Sequence, residues 1–178
     1  MRIINTKIDG LKVIQQKKIS DSRGSLRETF KKTFINWDNL VFDYATISKK
    51  NVLRGFHFNS KFPQAKFVTV LKGKILDYVI DLRKKSKTFG KSFSIILSEN
   101  NCKSLYIPAG FGHAYYSFSK LNIIYYKLSN YYHPKFEDGI IWNDKLIKLK
   151  WPVKKPVVSP KDKKLKTFKE FEKIYKGF

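Results

Sequence analysis

A series of short segments rich in β-branched and aromatic residues occupies residues 41–128 and constrains the fold more than any other feature. Turn residues such as Lys72-Gly73 and Pro108-Ala109-Gly110 separate the segments. Short strands at this spacing are typical of a β-sandwich or barrel rather than of a sheet that alternates with helices. We predict strands at residues 44–48, 52–58, 67–71, 75–82, 92–97, 104–107, 113–118 and 123–128.

The N-terminal quarter of the chain carries weaker signals. Residues 1–20 predict one or two strands, and residues 21–25 predict a turn because aspartate, serine and glycine stabilise turn conformations. A further strand is predicted over residues 26–30. Residues 34–40 predict a short helical turn.

The C-terminal end predicts a short helix. Phe168, Phe171 and Ile174 recur at three-residue steps, which places them on one face of a helix over residues 167–175. We find no internal repeat and no break in composition. We therefore expect residues 1–178 to form a single domain that is all-β apart from this helix.

Composition places the chain among globular proteins. Its 178 residues are 42% hydrophobic and 16% aromatic, which suffices to bury a core in one domain. The N-terminus shows no long apolar run or cleavage site, and no stretch approaches the length of a membrane span. The single cysteine, Cys102, cannot form an internal disulfide. We expect a cytoplasmic protein without a membrane partner.

The net charge of +23 favours anionic partners. Residues 145–176 hold 12 lysines against three acidic residues, whereas the other basic residues are scattered. Few of the basic residues are arginines, whose forked side chains suit phosphate and base recognition. With no known nucleic-acid motif in the chain, we expect a small anionic ligand and no nucleic-acid partner.

Residues 52–58, with Lys66 shortly after them, hold the groups best suited to chemistry. In a regular strand Arg54, Phe56 and Phe58 share one face and His57 takes the other. If His57 and Lys66 point into one barrel, the imidazole can remove a proton beside a carbonyl while the ammonium group stabilises the enolate. The local pattern alone favours a core histidine and an edge lysine.

Several short blocks of residues occur in one order over most of the chain. They are Asp21-Ser22-Arg23-Gly24 with Glu28; Val52-Leu53-Arg54-Gly55-Phe56-His57; Gln64-Ala65-Lys66; Asp81-Leu82-Arg83 with Ser86 and Thr88-Phe89-Gly90; Ile107-Pro108-Ala109-Gly110-Phe111-Gly112-His113; Tyr126-Lys127 with Tyr131-Tyr132; Gly139-Ile140 with Trp142-Asn143-Asp144; Trp151-Pro152; and Ser159 with Lys161-Asp162. By this ordered set the chain resembles the dTDP-4-dehydrorhamnose 3,5-epimerase family. The resemblance reverses the preference for a purely structural His57.

The resemblance implies a fold, an assembly and a reaction. The fold is a cupin-type jelly roll, also called a double-stranded β-helix, and the assembly is a homodimer. The enzymes use no metal and no organic cofactor. They invert carbons next to the ketone of a 4-keto-6-deoxyhexose on a nucleoside diphosphate, here expected to be dTDP, and they serve deoxysugar and surface-polysaccharide synthesis.

The resemblance also assigns four catalytic roles. His57 matches the general base, and Asp162 matches the carboxylate that orients the imidazole and raises its basicity. Lys66 matches the group near the C4 oxygen of the sugar. Tyr126 matches the acid that returns a proton from the opposite face, which inversion requires.

Further positions match residues that contact the substrate. They are Arg23, Glu28, Arg54, His113, Glu137 and Lys161, with Tyr132 matching the ring that stacks on the nucleotide base. The family usually has a glutamine and an asparagine, two residues apart, ahead of the Leu-Arg-Gly block. Here Phe42 and Tyr44 stand in those places, so we assign Tyr44 to the ligand site and expect an altered substrate or inversion at a single carbon.

Three alternatives remain open. A metal-dependent cupin needs several histidines and a carboxylate around one ion, and the chain offers His57, His113 and His133. A sugar-nucleotide 3,4-ketoisomerase of the same fold would use similar enolate chemistry. A basic binding module without catalytic activity would account for the charge.

Overall fold

The computed structural model describes residues 1–34, 39–175 and 178. Strands dominate this part of the chain. They are β1 (Arg2–Asn5), β2 (Lys12–Gln15), β3 (Lys18–Asp21), β4 (Gly24–Arg27), β5 (Phe42–Lys49), β6 (Leu53–Asn59), β7 (Lys66–Lys72), β8 (Lys74–Asp81), β9 (Ser92–Ser98), β10 (Lys103–Ile107), β11 (Phe111–Ser117), β12 (Leu121–Leu128) and β13 (Glu137–Gly139). One α-helix, α1, spans Phe168–Ile174, and 3₁₀ turns lie at Lys32–Phe34, Pro134–Phe136 and Asp162–Lys164.

Two antiparallel sheets face each other. The first has the strand order β1-β2-β10-β7-β12-β5, and the second has the order β13-β6-β11-β8-β9. A cluster of buried aliphatic and aromatic side chains fills the space between them, with Val68 and Ile124 from the first sheet and Val79 and Leu97 from the second. This arrangement confirms the predicted all-β jelly roll.

Sequence patterning explains which strands lie at the centre. β12 alternates between buried and less buried residues along its length, which is the pattern of a strand with one face on the core. The last five residues of β8, from Asp77 to Asp81, are all buried. β8 lies between β11 and β9 and is covered on both faces.

The predicted C-terminal helix is present, and it covers the second sheet. Thr167 caps α1 and exchanges hydrogen bonds with Glu170 in a capping box. The apolar face of α1 brings the ring of Phe171 to 5.4 Å from that of Phe58 on β6, and Phe171 is fully buried. The helix therefore closes a second hydrophobic cluster on the outer face of this sheet.

All eight strands predicted between residues 41 and 128 are confirmed, with small shifts in their bounds. The number of strands predicted at the N-terminus was too low. One or two were predicted over residues 1–20, whereas residues 1–21 form three. The strand predicted over residues 26–30 begins earlier, at Gly24, and pairs with β3 in a separate two-stranded hairpin. The helical turn predicted over residues 34–40 overlaps the 3₁₀ turn only at Phe34, and residues 35–38 lie outside the described residues.

A bulge in β6 changes which side chains share a face. His57 pairs with His113, and Arg54 pairs with Tyr115, so three residue steps on β6 oppose two on β11. Gly55 lies in the bulge with a φ of +109°, and the Gly55–Phe56 peptide bond is cis. The bulge brings Arg54 and His57 to the same side of the strand.

The expected face assignment for Arg54 was therefore wrong. We predicted that Arg54 shares a face with Phe56 and lies opposite His57. Instead Arg54 and His57 line one cavity. Phe56 is fully buried elsewhere, with its ring 6.2 Å from that of Trp151. The simple two-residue period fails because a bulge inserts one extra residue.

Within the described residues, no helix is both long enough and apolar enough to cross a membrane.

The bulge yields a stability prediction. A Cβ at residue 55 would lie 2.4 Å from the His113 carbonyl oxygen and 2.7 Å from Ala114 Cα, in a backbone conformation that favours glycine. We expect Gly55→Ala to lower the free energy of unfolding by about 3 kcal/mol or more. Urea denaturation followed by circular dichroism measures this change.

Gly112→Ala on β11 is the matched control. Its Cβ would meet the flexible side chain of Leu82 at 3.3 Å without a positive φ, so we expect a loss of less than about 1 kcal/mol. Equal losses in the two variants would contradict the steric argument for Gly55.

Candidate active site

A cavity of about 400 Å³ opens between the two sheets. Its walls come from β5, β7 and β12 on one side and from β6 and β11 on the other. The residues that line it are Phe42, Tyr44, Thr46, Arg54, His57, Phe58, Asn59, Gln64, Lys66, His113, Tyr115, Tyr126, Leu128, Tyr132 and Glu137. A cavity of this size suits a small organic ligand.

His57 and Asp162 form a hydrogen-bonded pair at the wall of this cavity. His57 Nε2 lies 2.9 Å from Asp162 Oδ1, and the backbone N–H of Gly55 donates to Asp162 Oδ2 at 3.1 Å. A carboxylate on Nε2 favours the tautomer with its proton there, which leaves Nδ1 to accept a proton from a ligand. The predicted pairing of these two residues is thus present in the structure.

The pKa of Asp162 is held below its ordinary value. Burial acts to raise this pKa, but the hydrogen bond and charge of His57, with the Gly55 N–H and the Ser159 hydroxyl, outweigh burial. Asp162 is therefore ionised at neutral pH and supplies a fixed negative charge behind the imidazole.

Lys66 begins β7 and is buried beside the cavity, with 8% of its surface exposed. Burial lowers the pKa of Lys66 to about 8, while the carboxylates of Glu137 and Asp77 act in the opposite direction. At neutral pH the ammonium form still predominates. A desolvated cation of this kind stabilises negative charge on a ligand oxygen more strongly than a solvated one.

Tyr126 lies on the opposite wall, on β12. Burial is the main reason that its pKa is well above the ordinary value, and the neighbouring phenols of Tyr115 and Tyr44 add to the effect. The phenol therefore keeps its proton and can act as a donor. The ring is packed edge-on against His113, with the centroids 6.0 Å apart.

His113 has a buried acidic partner that the sequence reasoning missed. Its Nε2 lies 2.9 Å from Asp77 Oδ2, and both side chains are at most 5% exposed. Burial raises the pKa of Asp77 despite the opposing effect of His113. Asp77 Oδ1 has no hydrogen-bond partner among the described residues. A charged residue inside the apolar run of β8 was the signal that could have identified it.

Three charged or polar side chains meet at the rim. Lys161 Nζ lies 2.6 Å from Glu137 Oε2, and the Tyr132 hydroxyl donates to the same oxygen at 3.2 Å. Burial acts to raise the pKa of Glu137, but these partners and His57 hold it below its ordinary value. Gln64 Nε2 donates to the carbonyl oxygen of Tyr131 at 2.7 Å and so anchors the rim segment.

Arg54 reaches the cavity through a polar contact with β5. Its Nε donates to Ser48 Oγ at 3.2 Å, and Ser48 Oγ also lies 2.8 Å from the Tyr115 hydroxyl. These contacts orient the guanidinium side chain but leave donors for a ligand anion.

Two residues that were predicted to contact the substrate lie apart from this cavity. Arg23 and Glu28 are not among the residues that line it. Arg23 sits at the tip of the β3–β4 hairpin, where it pairs with Asp21 at 2.7 Å and its side chain is 88% exposed. Within one chain the structure does not bring these two residues to the other predicted site residues.

Phe42 and Tyr44 line the wall formed by β5. The ring of Tyr44 stacks on that of Tyr126, with centroids 4.9 Å apart and planes 24° apart. Burial, followed by the charge of Glu137, raises the pKa of Tyr44 above its ordinary value. Two aromatic residues thus give this wall a less polar surface than the two amides of the family pattern.

The side chains of the described residues do not form a cluster that could bind a metal ion. Among residues 1–34, 39–175 and 178, no three histidine, cysteine or acidic side chains are grouped so that they could hold a metal ion. His57 and His113 each face an aspartate at 2.9 Å instead.

The buried ammonium group yields a pH prediction. The pKa of Lys66 is lower in the folded protein, about 8, than its ordinary value of 10.5, so the folded state binds its proton more weakly. The cost to stability is full below pH 8 and declines between pH 8 and 10.5. We expect Lys66→Met to raise the free energy of unfolding by about 3 kcal/mol at pH 7 and about 1 kcal/mol at pH 10.

Urea denaturation at both pH values measures the effect of Lys66→Met. Lys72→Met is the control, because the Lys72 side chain is 57% exposed and pairs with Glu99 at the surface. The control should change stability by less than about 1 kcal/mol at either pH. A Lys66→Met variant that is less stable than the wild type at pH 7 would contradict the burial argument.

Comparison with known proteins identifies relatives over most of the chain. The family model described as dTDP-4-dehydrorhamnose 3,5-epimerase matches residues 5–170. The enzyme of that name from Methanothermobacter thermautotrophicus is 36% identical over 176 residues, which cover 95% of each chain.

Solved structures agree with this assignment. The dTDP-6-deoxy-D-glucose-3,5-epimerase of Legionella pneumophila, in complex with dTDP-4-keto-L-rhamnose, superposes with a TM-score of 0.90 and 38% identity, covering 93% of this chain and 92% of the other. A 3′-monoepimerase of Streptomyces bikiniensis, in complex with dTDP-quinovose, gives a TM-score of 0.88 and 26% identity, covering 95% and 89%. The chain belongs to the dTDP-4-dehydrorhamnose 3,5-epimerase family.

Proposed function

We propose that this protein is a sugar-nucleotide epimerase that inverts carbon centres next to the C4 ketone of a dTDP-linked 4-keto-6-deoxyhexose. One observation carries the proposal. His57, which is hydrogen-bonded to Asp162, and Tyr126 line the same cavity from two different sheets. Inversion needs a base and an acid on opposite faces of one carbon, and this cavity offers that arrangement.

The first step is proton removal. The sugar lies between the two walls, and His57 Nδ1 takes the proton from the carbon next to the ketone. Asp162 stabilises the imidazolium that forms, because its ionised carboxylate already accepts a hydrogen bond from Nε2. The electron pair of the broken C–H bond moves to the C4 oxygen and gives an enolate, which the ammonium group of Lys66 stabilises.

The second step is proton return from the other wall. The Tyr126 phenol donates its proton to the same carbon on the face opposite His57, the C4 carbonyl re-forms, and the configuration is inverted. The phenolate then recovers a proton from solvent, and the imidazolium loses one. The raised pKa of Tyr126 ensures that the phenol is protonated when the enolate forms.

The rim fits the nucleotide part of the substrate. Arg54 and Lys161 supply cationic donors for the diphosphate, and a forked guanidinium can bind two phosphate oxygens at once. Tyr132 is 55% exposed at the cavity mouth, where its ring can stack on a base. In the structure the ammonium group of Lys161 is paired with the Glu137 carboxylate, and a diphosphate would compete with Glu137 for that cation.

The decisive experiment incubates the protein with a panel of 4-keto-6-deoxyhexose nucleotides in D₂O, followed by NMR. We expect deuterium at one or both carbons next to C4, with inverted configuration and the carbonyl still at C4. A carbonyl that moves to C3 would identify a ketoisomerase. Absence of any exchange with the whole panel would contradict an enolate mechanism.

Replacement of the base tests its assignment. We expect His57→Ala to reduce deuterium incorporation into dTDP-4-keto-L-rhamnose by about 10³-fold, because the other possible bases on that wall, His113 and Glu137, are hydrogen-bonded to Asp77 and Lys161. His133→Ala is the control, since His133 stacks on Phe62 and does not line the cavity. Exchange that persists in His57→Ala would mean that another group is the base.

Replacement of the acid should separate exchange from inversion. We expect Tyr126→Phe to retain deuterium exchange within a few fold, while the rate of inversion falls by about 100-fold. The two rates are read from the same NMR time course. A variant that inverts its substrate at the wild-type rate would remove Tyr126 from the acid role.

The proposal includes a homodimer in which each chain completes the cavity of its partner. The β3–β4 hairpin presents Ile19 and Leu26 to solvent, 54% and 63% exposed, together with Arg23. Arg23 and Glu28 match substrate contacts of the family but do not line the cavity of their own chain. Insertion of the hairpin into a second copy would bury the apolar residues and deliver the guanidinium to the diphosphate.

Mixed dimers test this assembly. Arg23→Ala and His57→Ala should each inactivate the homodimer, whereas random mixing should restore about a quarter of the wild-type rate, since one of the two sites in each mixed dimer is intact. Two affinity tags isolate the mixed dimer for assay. An isolated mixed dimer with no recovered activity would show that the hairpin does not act on the partner.

A further inference from the structure

The strand register places two phenols side by side on the wall opposite His57. Tyr44 on β5 and Tyr126 on β12 are direct Cα partners, so their side chains leave the sheet on the same face. Their rings stack at 4.9 Å with an interplanar angle of 24°, which we call the Tyr44–Tyr126 stack. An amide side chain has no ring face and could not form this contact.

The Tyr126 ring is held on both sides. Tyr44 covers one face, and the edge of the ring meets His113 at a centroid distance of 6.0 Å. Tyr126 is only 3% exposed, so neighbouring side chains surround almost all of its surface. A phenol packed in this way has little room to change its rotamer, so its hydroxyl occupies one place in the cavity.

Tyr44 itself is supported from the cavity mouth. The ring of Phe42 lies 5.9 Å from that of Tyr44. The two residues that depart from the family pattern therefore belong to one run of aromatic contacts that ends at Tyr126. The replacement of two amides by Phe42 and Tyr44 therefore changes the packing around the phenol of Tyr126 as well as the cavity surface that a ligand would contact.

We propose that Tyr44 is a positioning residue whose ring, stacked on Tyr126, fixes the point at which the phenol returns a proton. The inference rests on the proposed function. Proton removal by His57 does not depend on the stack, whereas the fraction of enolates that are protonated on the opposite face does. A fixed phenol also favours the carbon that lies nearest to it, which makes Tyr44 a determinant of how many centres are inverted.

Two substitutions at residue 44 separate the ring from its hydroxyl. Tyr44→Phe keeps the ring and removes the hydroxyl, and Tyr44→Asn removes the ring and installs an amide. Tyr131→Asn is the control, because Tyr131 is 59% exposed and contacts Phe42 rather than Tyr126. The full-length protein is incubated with dTDP-4-keto-L-rhamnose in D₂O, and NMR gives deuterium exchange and inversion at each carbon.

We expect Tyr44→Phe and Tyr131→Asn to keep the wild-type ratio of inversion to exchange within twofold. Tyr44→Asn should keep exchange within threefold while this ratio falls at least tenfold or moves from one carbon to the other. Retained exchange also shows that the variant is folded. Loss of exchange and inversion together would assign Tyr44 to the integrity of the whole site and overturn the positioning role.

Two other outcomes are equally informative. A Tyr44→Asn protein with the wild-type ratio, or a Tyr44→Phe protein with the same loss as Tyr44→Asn, would overturn the inference while leaving the epimerase assignment intact. Failure of the wild-type protein to exchange any substrate in the panel would instead overturn the proposed function. The two failures are therefore distinguishable in one set of spectra.

Discussion

The carboxylate of Asp162 connects the C-terminal segment to β6, the strand that carries His57. Its two oxygens are bound by His57 Nε2 and by the Gly55 N–H, and the residue is 3% exposed. A buried carboxylate is stable only when hydrogen bonds and opposite charge compensate for lost hydration. Gly55 makes this compensation possible, because its bulged backbone turns the N–H toward the carboxylate and no side chain stands in the way.

The surroundings of the other groups in the site shift their pKa values in different directions. Burial lowers the pKa of Lys66 and raises that of Tyr126, while hydrogen bonds hold that of Asp162 low. At neutral pH the cavity therefore contains an ammonium group, a neutral phenol and an ionised carboxylate behind an imidazole. Because the two sheets face each other, these groups line opposite walls of one cavity, which is the arrangement that acid and base chemistry at a single carbon requires.

Much of this arrangement could be predicted from the sequence. The strands between residues 41 and 128 were predictable because turn residues bound each of them, and the ordered blocks indicated that His57, Lys66, Tyr126 and Asp162 would converge. The bulge at Gly55 was not predictable from a two-residue period, since it depends on the backbone of β11 that packs against it.

Other features depend on contacts that no local pattern records. Asp77 appears in the sequence as one acidic residue in an apolar strand, and its role beside His113 emerges only when β8 and β11 pair. The strands β1 to β4 have four residues each, too few to show a period, and they are defined by their partners. Arg23 and Glu28 do not line the cavity of their own chain, and no local pattern in the sequence indicates that separation.

The position of Asp162 along the chain also has a consequence for biosynthesis. His57 and most of the cavity lining belong to strands that end by Leu128, whereas the carboxylate arrives on a 3₁₀ turn that follows β13. During synthesis a ribosome must therefore release the chain as far as this turn before His57 acquires its partner. A nascent chain that has emerged only as far as β12 carries the imidazole of His57 without its carboxylate partner.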